Sequence, residues 1–302
     1  MAQAPSFTTS VATVPAFEVT EPAEQTIPFV FCSPHSGRDY PDAFLKATRL
    51  TGEAIRRSED LFVDRIFDFV PACGAPLIAA RFPRAFLDVN REPYELDPRM
   101  FAQGLPAYAN AASVRVAGGL GTIPRIVAEN EEIYRGPLDL DEGLARIETI
   151  YKPFHETLDG LLERTRERFG IAILVDCHSM PSSVRTLPGG RRPDIVLGDR
   201  YGTSASGRLV AMASARLAGL GYDVTRNKPY AGGFITERYG RPSIGFHALQ
   251  IEINRALYAD ERRFTPHHGL SALRDDMESF VRRFAEEVSA EYLAPPAAAA
   301  AE

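Results

Sequence analysis

Two short segments place a histidine where chemistry is commonly done. Ser33-Pro34-His35-Ser36-Gly37-Arg38 follows an apolar run that reads as a strand, so His35 lies just past a strand end and before a glycine turn. Asp176-Cys177-His178-Ser179-Met180-Pro181 follows a second such run, with His178 in the same place and Asp176 able to orient it or to support the backbone. Imidazole is a common zinc ligand, so two strand-end histidines in one α/β domain suggest a shared metal. The competing reading is two unrelated loop histidines. A catalytic zinc typically takes three protein ligands and keeps one position for water, so a third ligand, His or carboxylate, is required. Ser58-Glu59-Asp60-Leu61-Phe62-Val63-Asp64 offers carboxylates. That segment also has a purely structural reading. Ser58 can cap a helix, Glu59 and Asp60 suit the positive end of its dipole, and Asp60, Asp64 and Asp68 form a solvated row at i, i+4 spacing.

Residues 247–254, HALQIEIN, alternate: His247, Leu249, Ile251 and Ile253 lie on one face, Ala248, Gln250, Glu252 and Asn254 on the other. A Gln–Glu–Asn row inside a central strand is costly unless it is paired or lines a polar cleft. The cleft reading makes Glu252 a proton carrier, since an attacking water needs a base and a departing amine needs an acid. A structural polar network is the alternative. Arg84-Ala85-Phe86-Leu87-Asp88-Val89-Asn90-Arg91 reads as a strand ending in Asn-Arg. Arg91 suits two-pronged capture of a carboxylate, or a salt bridge to Asp88. Ala117-Gly118-Gly119-Leu120-Gly121-Thr122 has neither the GxGxxG nor the Walker pattern; it reads equally as a substrate-covering loop that holds Arg125. No GxSxG elbow is present, which lowers a serine-hydrolase reading. Among the other histidines, His247 is structural, His155 stays open, and His267 and His268 receive no role.

These residues need a scaffold that gathers strand ends. Apolar runs at 28–33, 76–81, 85–90, 171–176, 193–198 and 247–254 predict buried strands, and helical periodicity covers about 57–71, 142–169, 204–219 and 269–290. Strands alternating with helices predict an α/β layered fold with a mainly parallel sheet, whose chemistry sits beyond the strand C-termini. Residues 1–26 read as a loose arm or edge strand, 27–290 as one catalytic domain and 291–302 as a low-complexity tail. With 34 Lys plus Arg against 40 Asp plus Glu the net charge is −6, which lacks the broad basic field that non-specific nucleic-acid binding needs. Cys32, Cys73 and Cys177 are odd in number and far apart, so they predict neither a disulfide framework nor a thiolate zinc site. No Lys or Arg precedes Arg38 and no apolar run reaches the ~18 residues that span a bilayer. The expectation is a cytoplasmic protein without membrane or nucleic-acid partners. No interface is visible, so oligomeric state is open.

SerProHisSerGly, SerGluAsp…ValAspArg, AspValAsnArg, IleProArg, AspCysHisSerMetPro, AspIleValLeuGlyAsp, GlyGlyPheIleThr and LeuGlnIleGluIleAsnArg occur in that order. This ordered set resembles the N-formylglutamate amidohydrolase (deformylase) family of histidine degradation, over about residues 27–290. The family looks like a relative of the zinc carboxypeptidases and aspartoacylases, with their phosphorylase/hydrolase-like architecture. The resemblance implies a three-layer αβα domain, a central mixed, mainly parallel sheet and one divalent metal, zinc in particular, at the strand ends. It implies hydrolysis of N-formyl-L-glutamate, a small dianionic substrate, to formate and L-glutamate. Carried over, His35 and His178 match the histidine ligands, Glu252 the catalytic glutamate, and Asn90 with Arg91 the pair that grips the substrate carboxylate. Arg125 resembles an arginine that polarises the scissile carbonyl, and Thr236, Arg238 or Arg241 are candidates for the second carboxylate. One position departs. The carboxypeptidase relatives carry a Glu three residues after the first His, where this chain has Arg38. Asp60 is therefore expected as the carboxylate ligand, with Glu59 in reserve. An amidohydrolase for another N-acyl amino acid, and a non-catalytic anion-binding protein on a degenerate hydrolase fold, remain the competing readings.

Overall fold

The computed structural model describes residues 15–127, 131–184 and 192–293; residues 1–14 of the expected arm and 294–302 of the expected tail lie outside them. Seven strands form one sheet: β1 (Phe17–Thr20), β2 (Phe29–Ser33), β3 (Leu77–Ala80), β4 (Ala172–Met180), β5 (Ile195–Gly198), β6 (Val224–Arg226) and β7 (Phe246–Asn254). Their order is β1-β3-β2-β4-β7-β5-β6. The β1–β3 and β5–β7 pairs are antiparallel and the remaining neighbours parallel, so the sheet is mixed and mainly parallel. β4 and β7 are buried along their whole lengths, as sheets covered on both faces require.

The helices are α1 (Asp42–Ala47), α2 (Val63–Ile66), α3 (Val114–Ala117), α4 (Leu140–Arg146), α5 (Lys152–Phe169), α6 (Gly207–Gly219), α7 (Phe234–Tyr239) and α8 (Gly269–Val288). One sheet face packs Phe31, Val175 and Leu249 against Ile66 of α2, Leu209 of α6 and Phe280 of α8. The other packs Val30, Leu174 and Ala248 against Phe44 of α1, Phe154 of α5 and Ile235 of α7. Each such apolar side chain contributes about 1.5–3 kcal/mol when fully buried, so the two cores hold the layers together. The result is the three-layer αβα arrangement expected from the sequence. Residues 17–20 of the expected arm form an edge strand, and a β6 strand joins the far edge.

Three segments depart from the expected elements, and all three feed one cleft. Residues 85–90 are not a strand. Their backbone groups go to side chains and loops instead of a ladder: Asn90 N donates to Asp88 Oδ1 (2.9 Å), His155 Nε2 meets Val89 O (2.8 Å) and the Tyr151 hydroxyl donates to Arg91 O (2.6 Å). Residues 57–71 are not one helix. A 3-10 turn at Ala54–Ser58 ends in extended Glu59, and left-handed Phe62 (φ 59°) precedes α2. Ser58 Oγ has no hydrogen-bond partner among the described residues, so it caps nothing. The acidic row breaks up: Asp60 turns inward, while Asp64 pairs with Arg38 (2.8 Å) and Asp68 with Arg274 (2.6 Å). The third departure is length. β4 continues beyond residue 176 and carries His178 within its ladder.

Candidate active site

His35 leaves the end of β2, His178 sits near the end of neighbouring β4, and Asp60 reaches in from the irregular stretch before α2. A backbone bond from Asp60 N to His35 O (3.0 Å) locks the two loops together. The three side chains are buried and their candidate ligand atoms lie within 4.8 Å of one another. Asp60 Oδ2 is 2.9 Å from His178 Nδ1 and 3.5 Å from His35 Nδ1. Tetrahedral ligands about 2.0–2.2 Å from zinc lie roughly 3.3–3.6 Å apart, a spacing the Asp60–His35 pair already meets and the Asp60–His178 pair approaches. The far ring nitrogens meet further carboxylates. His35 Nε2 is 2.7 Å from Asp88 Oδ1, and His178 Nε2 is 2.9 Å from Asp176 Oδ1. Asp88 keeps a proton on His35 Nε2 and leaves its Nδ1 lone pair for a metal, while Asp176 is a close negative charge beside His178 Nε2 outside hydrogen-bonding geometry. His35 Nδ1 is buried without a hydrogen-bond partner, and Asp176 has no hydrogen-bond donor within the described residues. A cation between the Nδ1 atoms would account for the first of these unpaired groups.

The choice between the two candidate carboxylates follows from geometry. Glu59 accepts from the Tyr40 hydroxyl (2.7 Å) and from Arg56 Nε (3.0 Å), so its side chain is occupied elsewhere. Burial alone would raise the Asp60 carboxyl, but hydrogen bonds and charge from His178 and His35 hold it well below its usual range. Burial would likewise depress His178, yet Asp176 and Asp60 outweigh it and raise the imidazole well above 6.5. In the absence of a metal, a proton thus occupies the place between His178 and Asp60.

Glu252 lies directly opposite His178 in the β4–β7 ladder, and Gln250 Nε2 donates to its Oε1 (2.8 Å). Gln250 Oε1 in turn accepts from Gly233 N (2.9 Å), so the polar row of β7 is paired as well as cleft-lining. Desolvation, reinforced by Asp60 and Asp176 and opposed by His178 and Arg84, pushes the Glu252 carboxyl up to about 7. A carboxyl poised near neutrality can both accept and return a proton. The cleft that these groups floor holds about 660 Å³, room for a small amino-acid derivative.

Asn90 and Arg91 line this cleft. Asn90 Oδ1 accepts from Ile235 N (2.7 Å), and its Nδ2 lies 3.3 Å from His178 Nε2. Gly233 is required beside it, because a Cβ there would come within 2.4 Å of Asn90 Nδ2. Arg91 donates to Leu120 O (2.9 Å) and Asn90 O (2.6 Å), with Asp88 at 3.6 Å. Burial, and the nearby guanidinium groups of Arg84 and Arg115 against the pull of Asp88, lower Arg91 to about 10, still a cation at neutral pH.

The other sequence-selected residues do not line the cleft. Arg125 is engaged by Asp97 (3.0 Å) and Glu132 (3.2 Å) in a separate depression. Arg238 covers the Tyr239 ring and Arg241 the Phe246 ring, at 5.5 and 4.8 Å. Thr236 is buried with its hydroxyl on Gly233 O (2.8 Å). Where substrate contacts were expected, these four side chains make packing and supporting contacts outside the cleft lining. The cleft draws its cations from Arg57, Arg84, Arg91, Arg115, Arg200 and Arg255. Arg84 opens one segment already singled out and Arg255 directly follows another, so their proximity to Asp88 and Glu252 was the available signal.

His155 is packed, not surface-exposed. It sits among Tyr151, Phe234 and Tyr239 and holds Val89 O, so it braces the segment that delivers Asp88 and Asn90. Desolvation lowers it from 6.5 to about 4. The folded state therefore prefers the neutral ring. This contribution is fully present above pH 6.5 and is lost as pH falls towards 4, by on the order of 3 kcal/mol. Denaturant unfolding of His155→Gln should show a flatter pH dependence across that window. Parallel curves for the variant and the wild type would exclude His155 as the source.

Fold and site together define an amidohydrolase of α/β architecture, with a buried His–Asp–His cluster beside a carboxyl of raised pKa. The model of the N-formylglutamate amidohydrolase family matches residues 27–259, and the chain belongs to that family. It is 31% identical to the N-formylglutamate deformylase of Pseudomonas putida over 243 residues, covering 78% of this chain and 83% of that protein. It is 29% identical to the Pseudomonas aeruginosa deformylase over 239 residues, covering 78% and 84%. The crystal structure of the N-formylglutamate amidohydrolase of Ralstonia eutropha JMP134 superposes with a TM-score of 0.86 at 33% identity, over 92% of this chain and all of that one. Among the described residues no helix is long and apolar enough to cross a membrane.

Proposed function

We propose that the chain hydrolyses the amide bond of N-formyl-L-glutamate to formate and L-glutamate, with one divalent metal ion, zinc in particular, as the last step of a histidine degradation route. The observation that carries this reading is the buried His35–Asp60–His178 cluster one strand from Glu252, in an arginine-lined cleft. The names of the Pseudomonas relatives support the substrate. His35 Nδ1, Asp60 Oδ2 and His178 Nδ1 would hold the ion, a nitrogen–oxygen donor set that suits zinc. When bound there, the ion supplies a Lewis acid that polarises a carbonyl and lowers the pKa of water.

The remaining work falls to side chains. Glu252 takes a proton from the water as its oxygen bonds to the formyl carbon. It then returns the proton to the amide nitrogen as the C–N bond breaks, leaving glutamate and formate. Arg84 lines the cleft, held by Asp88 (3.0 Å) and within electrostatic reach of Asp60 and Glu252, so it takes the oxyanion-stabilising role that the resemblance implied for Arg125. Arg91 anchors one substrate carboxylate. Arg115 is exposed, lines the cleft and makes no ion pair among the described residues, which suits it to the second.

Formate release from N-formylglutamate and N-formylaspartate, and acetate release from N-acetylglutamate, test the assignment. A missing methylene costs about 10- to 200-fold in kcat/KM, so N-formylaspartate should be slower by such a factor, and N-acetylglutamate slower too. Faster turnover of either would move the activity to another N-acyl amino acid. No turnover of any of them by metal-replete protein would favour an anion-binding role.

A further inference from the structure

Asp60 has two carboxylate oxygens, and the structure assigns them different work. Oδ2 faces His35 Nδ1 and His178 Nδ1. Oδ1 accepts from Arg255 Nη2 at 3.2 Å. Arg255 follows the last residue of β7, at the start of a 3-10 turn that the Asn254 side chain caps through Ala256 N (3.0 Å). Its side chain is only 8% exposed, so its direction is set by what it meets inside. Nε donates to Ser179 Oγ (2.9 Å), one residue beyond His178, and Nη2 also approaches Ser179 O (3.5 Å). Nη1 lies 3.9 Å from Glu261, whose carboxylate binds Ser182 N (3.1 Å) and the Ser182 hydroxyl. One guanidinium therefore spans the loop bearing Asp60 and the strand bearing His178, with its nitrogens already committed. That distinguishes it from the exposed Arg115, and its bond to Asp60 Oδ1 ties it to the His–Asp–His cluster.

The consequence is chemical. A free carboxylate can bind a metal through both oxygens, which adds a ligand and crowds the position that a hydrolytic centre keeps for water. A guanidinium fixed on Oδ1 prevents this by occupying that oxygen with a charge-assisted hydrogen bond. We infer that Arg255 is the positioning residue that makes Asp60 a one-oxygen ligand and holds it in register with His178. This inference rests on the metal-centre reading above.

The test uses cobalt(II) in place of zinc, because its visible absorption reports coordination number without reference to activity. Wild-type, Arg255→Lys and Arg255→Met proteins are stripped with a chelator and titrated with cobalt(II) in the presence of a competing chelator. Partners of metal ligands are typically worth 10- to 100-fold in affinity. Arg255→Met should lose about that much, and its visible band should weaken and shift as Asp60 contributes a second oxygen. Arg255→Lys should fall between, since one ammonium cannot hold Ser179 and Asp60 through separate nitrogens. Wild-type affinity with an unchanged spectrum in Arg255→Met overturns the inference. If that variant does not fold, the same outcome in Arg255→Lys overturns it. If the wild type binds no cobalt at all, the metal reading itself falls and takes this inference with it.

Discussion

Glu252→Gln should lower kcat by about 100- to 10,000-fold while leaving metal content intact, the range expected when a general acid–base is removed without its shape. Glutamine preserves the side chain's volume and its contact with Gln250, so a large loss would report proton transfer and not collapse of the strand. A second readout has the opposite sign. The Glu252 carboxyl rises from 4.5 unfolded to about 7 folded, chiefly through desolvation. Its contribution to stability is therefore complete below pH 4.5 and disappears as pH rises through 7. Above pH 7 the buried carboxylate costs on the order of 3 kcal/mol, and the neutral amide of Gln does not. Metal-free Glu252→Gln should accordingly be more stable than metal-free wild type at pH 8 and equally stable at pH 4. A variant that is inactive, less stable and poor in metal would instead place Glu252 in the framework of the site.

The sheet was readable because buried parallel strands leave uninterrupted apolar runs. That signal located β2, β3, β4, β5 and β7 within one or two residues at most of their ends, β4's C-terminal end excepted. It misled at residues 85–90, where Phe86, Leu87 and Val89 are apolar because they face a core, although the backbone between them is tied to His155 and Tyr151. Periodicity also failed at 57–71. A helix and a chain that turns one carboxylate inward share the same apolar positions, and only Asp60 N on His35 O separates them. At the site, strand-end histidines and the polar face of β7 were local features, hence visible. Arg125 was selected by resemblance and Arg238 and Arg241 by their place in a motif, but where an arginine points depends on carboxylates and rings far along the chain. Asp97 and Glu132 hold Arg125 away from the cleft, and no short window of sequence records that competition.

Stripping the metal should abolish turnover, and adding back zinc should restore it in the wild type but not in His178→Ala. The pH dependence of rebinding separates this centre from a casual surface site. Without metal, Asp176 and Asp60 overcome desolvation and raise His178 well above 6.5, which favours a proton on the Nδ1 that would hold the proposed ion. Binding expels that proton. While His178 remains protonated, each unit of rising pH should tighten the apparent Kd about tenfold, and the tightening should continue above pH 6.5, where an ordinary histidine has already discharged. Calorimetry in buffers of different ionisation enthalpy counts the proton directly. The same linkage appears in stability: free zinc at 1,000 times its Kd should stabilise the fold by about 4 kcal/mol, a gain that shrinks as pH falls and the proton competes. An affinity that is flat between pH 6.5 and 8, with no proton released, would mean that metal-free His178 carries no proton there to displace and that its raised pKa must be abandoned, while zinc binding that survives unchanged in His178→Ala would remove His178 from the ligand set.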